Sequence, residues 1–321
     1  MVPCLSNVMS PRRLRCIAAV TSENPEMMKL GFWTKVVLLT VGLAAYLAVV
    51  DGIGVMVQQD PAAITAPAAS TPTVVEPIVS IAPPPAQPNT YHCQKIDHLI
   101  TVTGRGDDIA WAQAPWTSDF VDIEGDRKPT PRFRTRAKML WNEQFLYVYA
   151  QLEEPQVWAT LTKKNAVIYH DNDFEVFIDP EKSGENYYEY EMNAFNTIWE
   201  LTLVKRYTRG GPAILGTNLA GLQSAVSIAG TINDPRDTDS GWSAEIAFPF
   251  AALASHCRNG ACPPNVSDSW RINFSRVEWL VNVVDGKYRK RAGRREDNWV
   301  WSPQGLIDMH QPEHWGRLIF E

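Results

Sequence analysis

From Thr101 onward, apolar and polar residues alternate in short runs with the period of a strand that buries one face. In Asp173–Asp179, Phe174, Val176 and Ile178 fall on one side, with Asp173, Glu175 and Asp179 on the other. Tyr188–Thr202 repeats the theme, setting Tyr188, Tyr190 and Met192 against Glu189, Glu191 and Asn193. Arg136–Trp141, a turn at Asn142-Glu143 and Phe145–Leu152 read as a hairpin. Further strands are expected at Ala225–Thr231, Gly241–Phe248, Trp270–Glu278 and Gly316–Phe320, with one short helix at Pro249–Leu253. Many short aromatic-rich strands, broken by Gly, Pro, Asn and Asp, predict an all-β fold, an antiparallel β-sandwich.

The alternation is absent from the first ninety residues, and the chain divides accordingly. Residues 1–35 are a short basic segment and 36–57 an apolar run. Residues 58–90 are rich in Pro, Ala and Thr, with eight prolines between Asp60 and Asn89, and 91–321 form the β domain. A spanning helix needs about 20 mostly apolar residues, and Val36–Val57 reaches that length by including Asp51 near its end. Arg12, Arg13, Arg15, Lys29 and Lys35 precede the run, and no Lys or Arg follows until Lys95. That bias predicts a single-pass signal anchor with a cytosolic N-terminus and an extracellular or lumenal domain. The alternative is a cleaved signal peptide starting at Met27 or Met28, which would leave the domain secreted. Both readings export it. The Pro-rich stretch reads as an extended spacer.

Charge and cysteines narrow the picture. A net charge of −6 gives no basic face for nucleic acid. Export places Cys93, Cys257 and Cys262 in an oxidising compartment. Cys257 and Cys262 flank an Asn259-Gly260 turn and are expected to pair as a disulfide, with Cys93 left over. Asn265-Val-Ser267 is a credible glycosylation sequon in a Pro-rich loop, whereas Asn273 falls inside an expected strand.

Candidate chemistry sits on the polar strand faces. Glu175 on one strand, with Glu191 and Asn193 on the next, would line up carboxylates and an amide on one sheet face. Such groups chelate the hydroxyls of a sugar while aromatic rings pack on its C–H face. The plainer reading is that a solvent-facing sheet surface is polar. Asn298, Trp299 and Trp301 lie in a segment expected at a loop edge, where either ring could clamp a sugar or plug the end of the sandwich. Glu175 with Glu191 or Glu189 could instead serve as the acid/base pair of a cell-surface glycoside hydrolase, although the chain has no room for a separate catalytic barrel. Asp122 and Glu124, and Asp171 and Asp173, are candidate oxygen ligands for a structural calcium ion, outside any twelve-residue calcium loop. His310 and His314 have the spacing of a zinc pair, but Pro312 interrupts the helix such a pair needs.

A succession of blocks carries a family resemblance: Trp111-Ala…Ala114-Pro115-Trp116, Phe120–Gly125, Lys138–Trp141, His170–Asp179, Tyr187–Glu189, Asn273–Trp279 and Asn298–Pro303. In this order they resemble the family 9 carbohydrate-binding modules associated with xylanases, over nearly all of 101–321. The resemblance implies a β-sandwich that holds the terminal sugar of a glycan between two aromatic rings, with carboxylate and amide partners and structural calcium. By motif, Glu175 matches the sugar-binding carboxylate, Asn193 and Asn298 the amides, and Trp301 one stacking ring. The second ring falls at Tyr169, where the family has Trp, and Glu191 stands where the xylanase modules place a basic residue. The implied partner is a glycan, such as a plant or cell-wall polysaccharide. A further alternative is a haem-binding or protein-interaction sandwich, for which His170 and Met192 are the available axial pair.

Overall fold

Each expected strand turns its apolar side toward one buried layer, and that layer organises the domain. The computed structural model describes residues 87–321 apart from residue 259. In chain order the strands are β1 (Thr90–Lys95), β2 (Val121–Asp122), β3 (Thr135–Trp141), β4 (Phe145–Glu153) and β5 (Asp173–Asp179). They continue as β6 (Glu185–Asn193), β7 (Ile198–Lys205), β8 (Ala213–Leu215), β9 (Gln223–Ala229) and β10 (Gly241–Pro249). The last are β11 (Ser269–Glu278), β12 (Val281–Val284), β13 (Lys287–Lys290), β14 (Asp297–Val300) and β15 (Gly316–Phe320). Two helices of four residues, α1 (Ala110–Gln113) and α2 (Phe250–Leu253), interrupt them.

One curled sheet runs β8-β7-β6-β5-β11-β15-β1 and the other β1-β3-β4-β10-β9. Strand β1 belongs to both, pairing with β15 through Cys93 and with β3 from Gln94. Between the sheets lies an aromatic and aliphatic core: Phe174, Val176, Tyr188, Tyr190 and Phe274 from the first, Val148, Leu152, Trp242, Ile246 and Phe248 from the second. Outside the second sheet, α1 and its flanks pack Ile100, Trp111 and Ala114 onto Tyr147 and Tyr149. Outside the first sheet, Met309 and Trp315 cover Phe177, Tyr187, Leu201 and Leu203. That cover reaches only part of the face.

The structure departs from the sequence reading at several points. The sheets are not wholly antiparallel, because β1 pairs parallel with both neighbours. The single run expected at Tyr188–Thr202 is two strands, β6 and β7. Asn193 turns the chain between them, its Oδ1 accepting from the backbone N–H groups of Phe195 and Thr197. The charged stretch after Trp279 contains the β12–β13 hairpin, closed by Asp285 and Gly286 at φ 52° and 69°. Two positive φ values are the requirement of a tight primed turn. No helix among the described residues is long and apolar enough to cross a membrane; the anchor at 36–57 and nearly all of the 58–90 spacer lie outside them.

Candidate functional site

Directly opposite residues of paired strands share a sheet face, so the register shows what the uncovered part of the first sheet presents. Glu175 on β5 stands opposite Glu191 on β6, and Glu191 opposite Trp199 on β7. On the other side of Glu175 is Ser275 of β11. Asp173 and Glu189 complete the group. One carboxylate oxygen from each of Asp173, Glu175 and Glu191 lies within 4.8 Å of the others.

All four carboxyl groups are buried, and like charges facing each other across strands are destabilising. Burial pushes Glu175 up to about 7, with the Ser275 hydroxyl opposing the rise. Glu189 goes up to about 8, through burial and then the charge of Glu175. Glu191 and Asp173 rise well above the usual carboxylate range, again through burial first and the Glu175 charge second. Desolvation penalises the charged form and neighbouring negative charge adds to it. Part of the charge is shared away: Glu191 hydrogen-bonds Glu189 and accepts the Tyr169 backbone N–H at 3.1 Å. Asp173 Oδ1 accepts from the Val277 backbone at 3.0 Å. Asp173 Oδ2 and Glu189 Oε2 make no aligned hydrogen bond, whereas the Ser275 hydroxyl faces Glu175 from the neighbouring strand.

Aromatic rings border this acidic floor. Tyr169, in the short turn before β5, is 40% exposed, and its ring lies 6.4 Å from that of Trp199 at 34°. The Trp279 indole N–H donates to the Tyr169 carbonyl at 2.9 Å. The Lys290 ammonium, carried on β13, sits 3.5 Å from the Trp279 ring centre. Tyr207 is exposed, and its hydroxyl feels the charges of Glu189 and Glu191 after the larger effect of burial, which together push it up to about 12. Trp199, Trp279, Tyr207 and Lys290 were not among the expected site residues. Trp199 was legible once paired with Glu191. The other three reach the face from loops or the unforeseen hairpin.

The structure brings Tyr169, Glu175 and Glu191 together and separates the rest of the expected set. Trp301 is only 2% exposed, tilted against Phe274, and it lies so close over Gly316 that a Cβ there would come within 2.2 Å of the ring. Asn298 faces outward with Val277, so the alternation of β14 turns Trp299 inward, beneath the Arg276 guanidinium. Both tryptophans plug the sandwich, and neither can stack on a ligand. Asn298 is half-buried and lines a cleft with Asp122, Glu124, Arg132 and Asp297. Asn193 is fully buried; its amide donates to the Leu161 carbonyl and to Asp171, leaving no capacity for a sugar.

The other expected residues have definite places as well. Asp171 accepts from the Thr160 and Leu161 backbones, the Thr160 hydroxyl and Asn193, so the protein's own donors saturate it. Asp122 holds the Glu124 N–H and Glu124 pairs with Lys128, neither pointing to an ion. His170 is exposed whereas Met192 is in the inner core, so they cannot share a haem. Cys257 and Cys262 are free thiols rather than a disulfide; they hydrogen-bond to each other, and Cys262 also donates to the Phe250 carbonyl. Asn265 is exposed beside Asp268, while Asn273 is fully buried and donates to the Ser302 carbonyl.

Two curled sheets over one core, with a polar and aromatic patch left open on a sheet face, define a β-sandwich. The chain belongs to the Carbohydrate family 9 binding domain-like family, whose model matches residues 102–265. Endo-1,4-beta-xylanase C of Paenibacillus barcinonensis is 34% identical over 98 residues, 30% of this chain and 8% of the xylanase. Exoglucanase XynX of Acetivibrio thermocellus is 27% identical over 117 residues, 36% of this chain and 9% of that enzyme. The chain thus spans under a tenth of these two relatives' length. Among solved structures, a candidate carbohydrate-binding protein of Bacteroides uniformis superposes with a TM-score of 0.53 at 17% identity, covering 73% of this chain and 99% of its own. A family 9 module of Caldicellulosiruptor kristjanssonii in complex with cellotriose gives 0.46 at 14%, over 73% and 94%.

Proposed function

We propose that the domain binds carbohydrate, without transforming it, on the outer face of the first sheet. The supporting observation is the Glu175–Glu191 pair beside the exposed ring of Tyr169. A pyranose laid on Tyr169 and the adjoining Trp199 puts its hydroxyls over the carboxylates. With Trp301 in the core, the two rings form a one-sided platform: their 6.4 Å separation leaves no slot for a sugar between them. A terminal sugar fits such a platform because only one face of its ring need be free. The named relatives are an endo-1,4-beta-xylanase and an exoglucanase, which makes xylo- and cello-oligosaccharides the first ligands to try.

Affinity is expected to be weak. Each solvated hydroxyl gains only about 0.5–1.5 kcal/mol per hydrogen bond, so dissociation constants on the order of 0.1–1 mM are reasonable. A hydrolase reading has less support, since Glu175, Glu189 and Glu191 rise side by side from neighbouring strands rather than flanking a bond from two sides. The apolar run at 36–57 and the Pro-rich spacer would display the domain outside the cytosol. A glycan array probed with the purified protein tests the binding reading.

A further inference from the structure

We propose that the β12–β13 hairpin and the turn after it hold the acidic groups of a glycan, uronate carboxylates or sulfate esters, beside the aromatic platform. The inference rests on the carbohydrate reading and narrows it to an acidic ligand. In a chain of net charge −6, residues 287–295 carry Lys287, Arg289, Lys290, Arg291, Arg294 and Arg295 and no acid at all. Of the six, Arg295 reaches its neighbour Glu296 at 3.4 Å and Lys290 lies over the Trp279 ring. Lys287, Arg289, Arg291 and Arg294 are exposed, and among the described residues none of their side chains makes an ion pair or a hydrogen bond. Other exposed arginines close onto a nearby acid, as Arg105 does on Asp107, Arg134 on Glu153 and Arg236 on Asp234. Four unneutralised cations crowded on one hairpin and its turn repel one another, and a polyanion laid across them removes that cost.

The hairpin is fixed in place rather than loose. Its register sets Asn282 with Arg289 and Val284 with Lys287 on one face, and Val281 with Lys290 and Val283 with Tyr288 on the other. The second face is tied to the domain: the Tyr288 hydroxyl donates to the Asp234 carbonyl at 3.3 Å, and Lys290 sits on Trp279. All four residues of the first face are exposed. The Arg291 N–H closes the base of the hairpin on the Leu280 carbonyl at 2.8 Å, and the Arg294 N–H turns the chain back onto the Arg291 carbonyl at 3.3 Å. Trp279, which carries Lys290, also donates to the Tyr169 carbonyl, so the basic element is joined to the edge of the platform. That junction favours a glycan over other polyanions. Lys290 serves as the anchor, and the four free cations remain for a ligand. Three of them are guanidinium forks, which take carboxylates and similar oxyanions through two parallel hydrogen bonds. At pH 6 Glu175 and Glu189 on the nearby floor are held protonated by burial and add little repulsion.

The test compares charged and neutral ligands on the full chain at pH 6 and low salt. Four probes are titrated: xylo-oligosaccharides with glucuronic acid branches, the same oligosaccharides unbranched, heparin as the sulfated glycan, and a single-stranded oligonucleotide. The branched oligosaccharides or heparin should bind at least tenfold more tightly than the unbranched chains, and which of the two does so identifies carboxylate or sulfate. That advantage should largely vanish at about 0.5 M salt, where screening shortens the reach of exposed charges. The triple variant Arg289→Gln, Arg291→Gln, Arg294→Gln should lose the advantage while keeping the melting temperature and the binding of unbranched oligosaccharides, because these side chains are exposed and unpaired. The double variant Lys287→Gln, Arg289→Gln, confined to the exposed face, should reduce it at least threefold and serves if the triple variant fails to fold. Equal affinity for acidic and neutral glycans overturns the inference and leaves the carbohydrate reading standing, as does an advantage that both variants retain. An oligonucleotide bound as tightly as the acidic glycans overturns the assignment of the hairpin to a glycan. No binding of any glycan removes both the inference and the reading beneath it.

Discussion

Glu175 and Glu191 face each other across adjacent strands of one sheet, both buried, with no basic residue between them. Cross-strand carboxylates normally repel, and burial raises both carboxyls so that protons relieve the pair. That relation shapes much of what the domain should do.

Stability should depend on pH in a defined direction. Glu175 and Glu189 titrate at about 7 and about 8 in the folded state, against about 4.5 when unfolded. The folded state holds the extra protons, so their contribution is complete below about 4.5 and lost as pH rises through 7 to 8. His310 acts oppositely: burial lowers it from 6.5 to about 4, so its contribution is present above 6.5 and lost as pH falls through 4. Chelator-treated protein melted between pH 4 and 9 should lose stability at both ends. A melting temperature that climbs steadily from pH 6 to 8.5 would contradict the carboxylate assignment.

Trp301→Ala should cost stability directly. The ring fills the core against Phe274 and Gly316, and deleting a buried aromatic typically costs about 3–5 kcal/mol. Urea unfolding monitored by circular dichroism measures it. A loss below about 1 kcal/mol would mean that the ring is not packed as described. Gly316→Ala should be similarly harmful, since its Cβ would enter the Trp301 ring.

Arg276 is completely buried and bonded to Glu154 and Glu278 at 2.8 Å, with Asn172 bridging the same two acids. Arg276→Met takes the buried guanidinium away from both carboxylates, leaving Asn172 as their shared donor, and should destabilise by about 3–5 kcal/mol. Adding Glu154→Gln and Glu278→Gln should recover part of that loss, which comparing the single and triple variants by chemical denaturation would show.

Alternation revealed most strands because each buries one face, and it correctly set Glu175 and Glu191 on a common side. It could not show that Asn193 spends its amide on a turn, since the partners, Leu161 and Asp171, are distant in sequence. Nor could it place Trp299 and Trp301, which read as a loop edge until β14 was seen to pair with β11. Strand β1 was invisible for a related reason: six residues with two buried side chains carry little pattern, and its parallel partners β3 and β15 are distant in sequence from it and from each other. Trp279 and Tyr207, which border the acidic face, sit outside strands, where periodicity says nothing.

The carbohydrate reading is tested most directly by titrating wild type and Tyr169→Ala with cello- and xylo-oligosaccharides, following tryptophan fluorescence and heat. Saturable binding near the millimolar range is predicted for the wild type, with at least a tenfold loss in Tyr169→Ala and an unchanged melting temperature, because that ring is largely exposed. Binding that survives Tyr169→Ala at full strength would move the site elsewhere. Absence of binding to any glycan by folded wild-type protein would contradict the function itself.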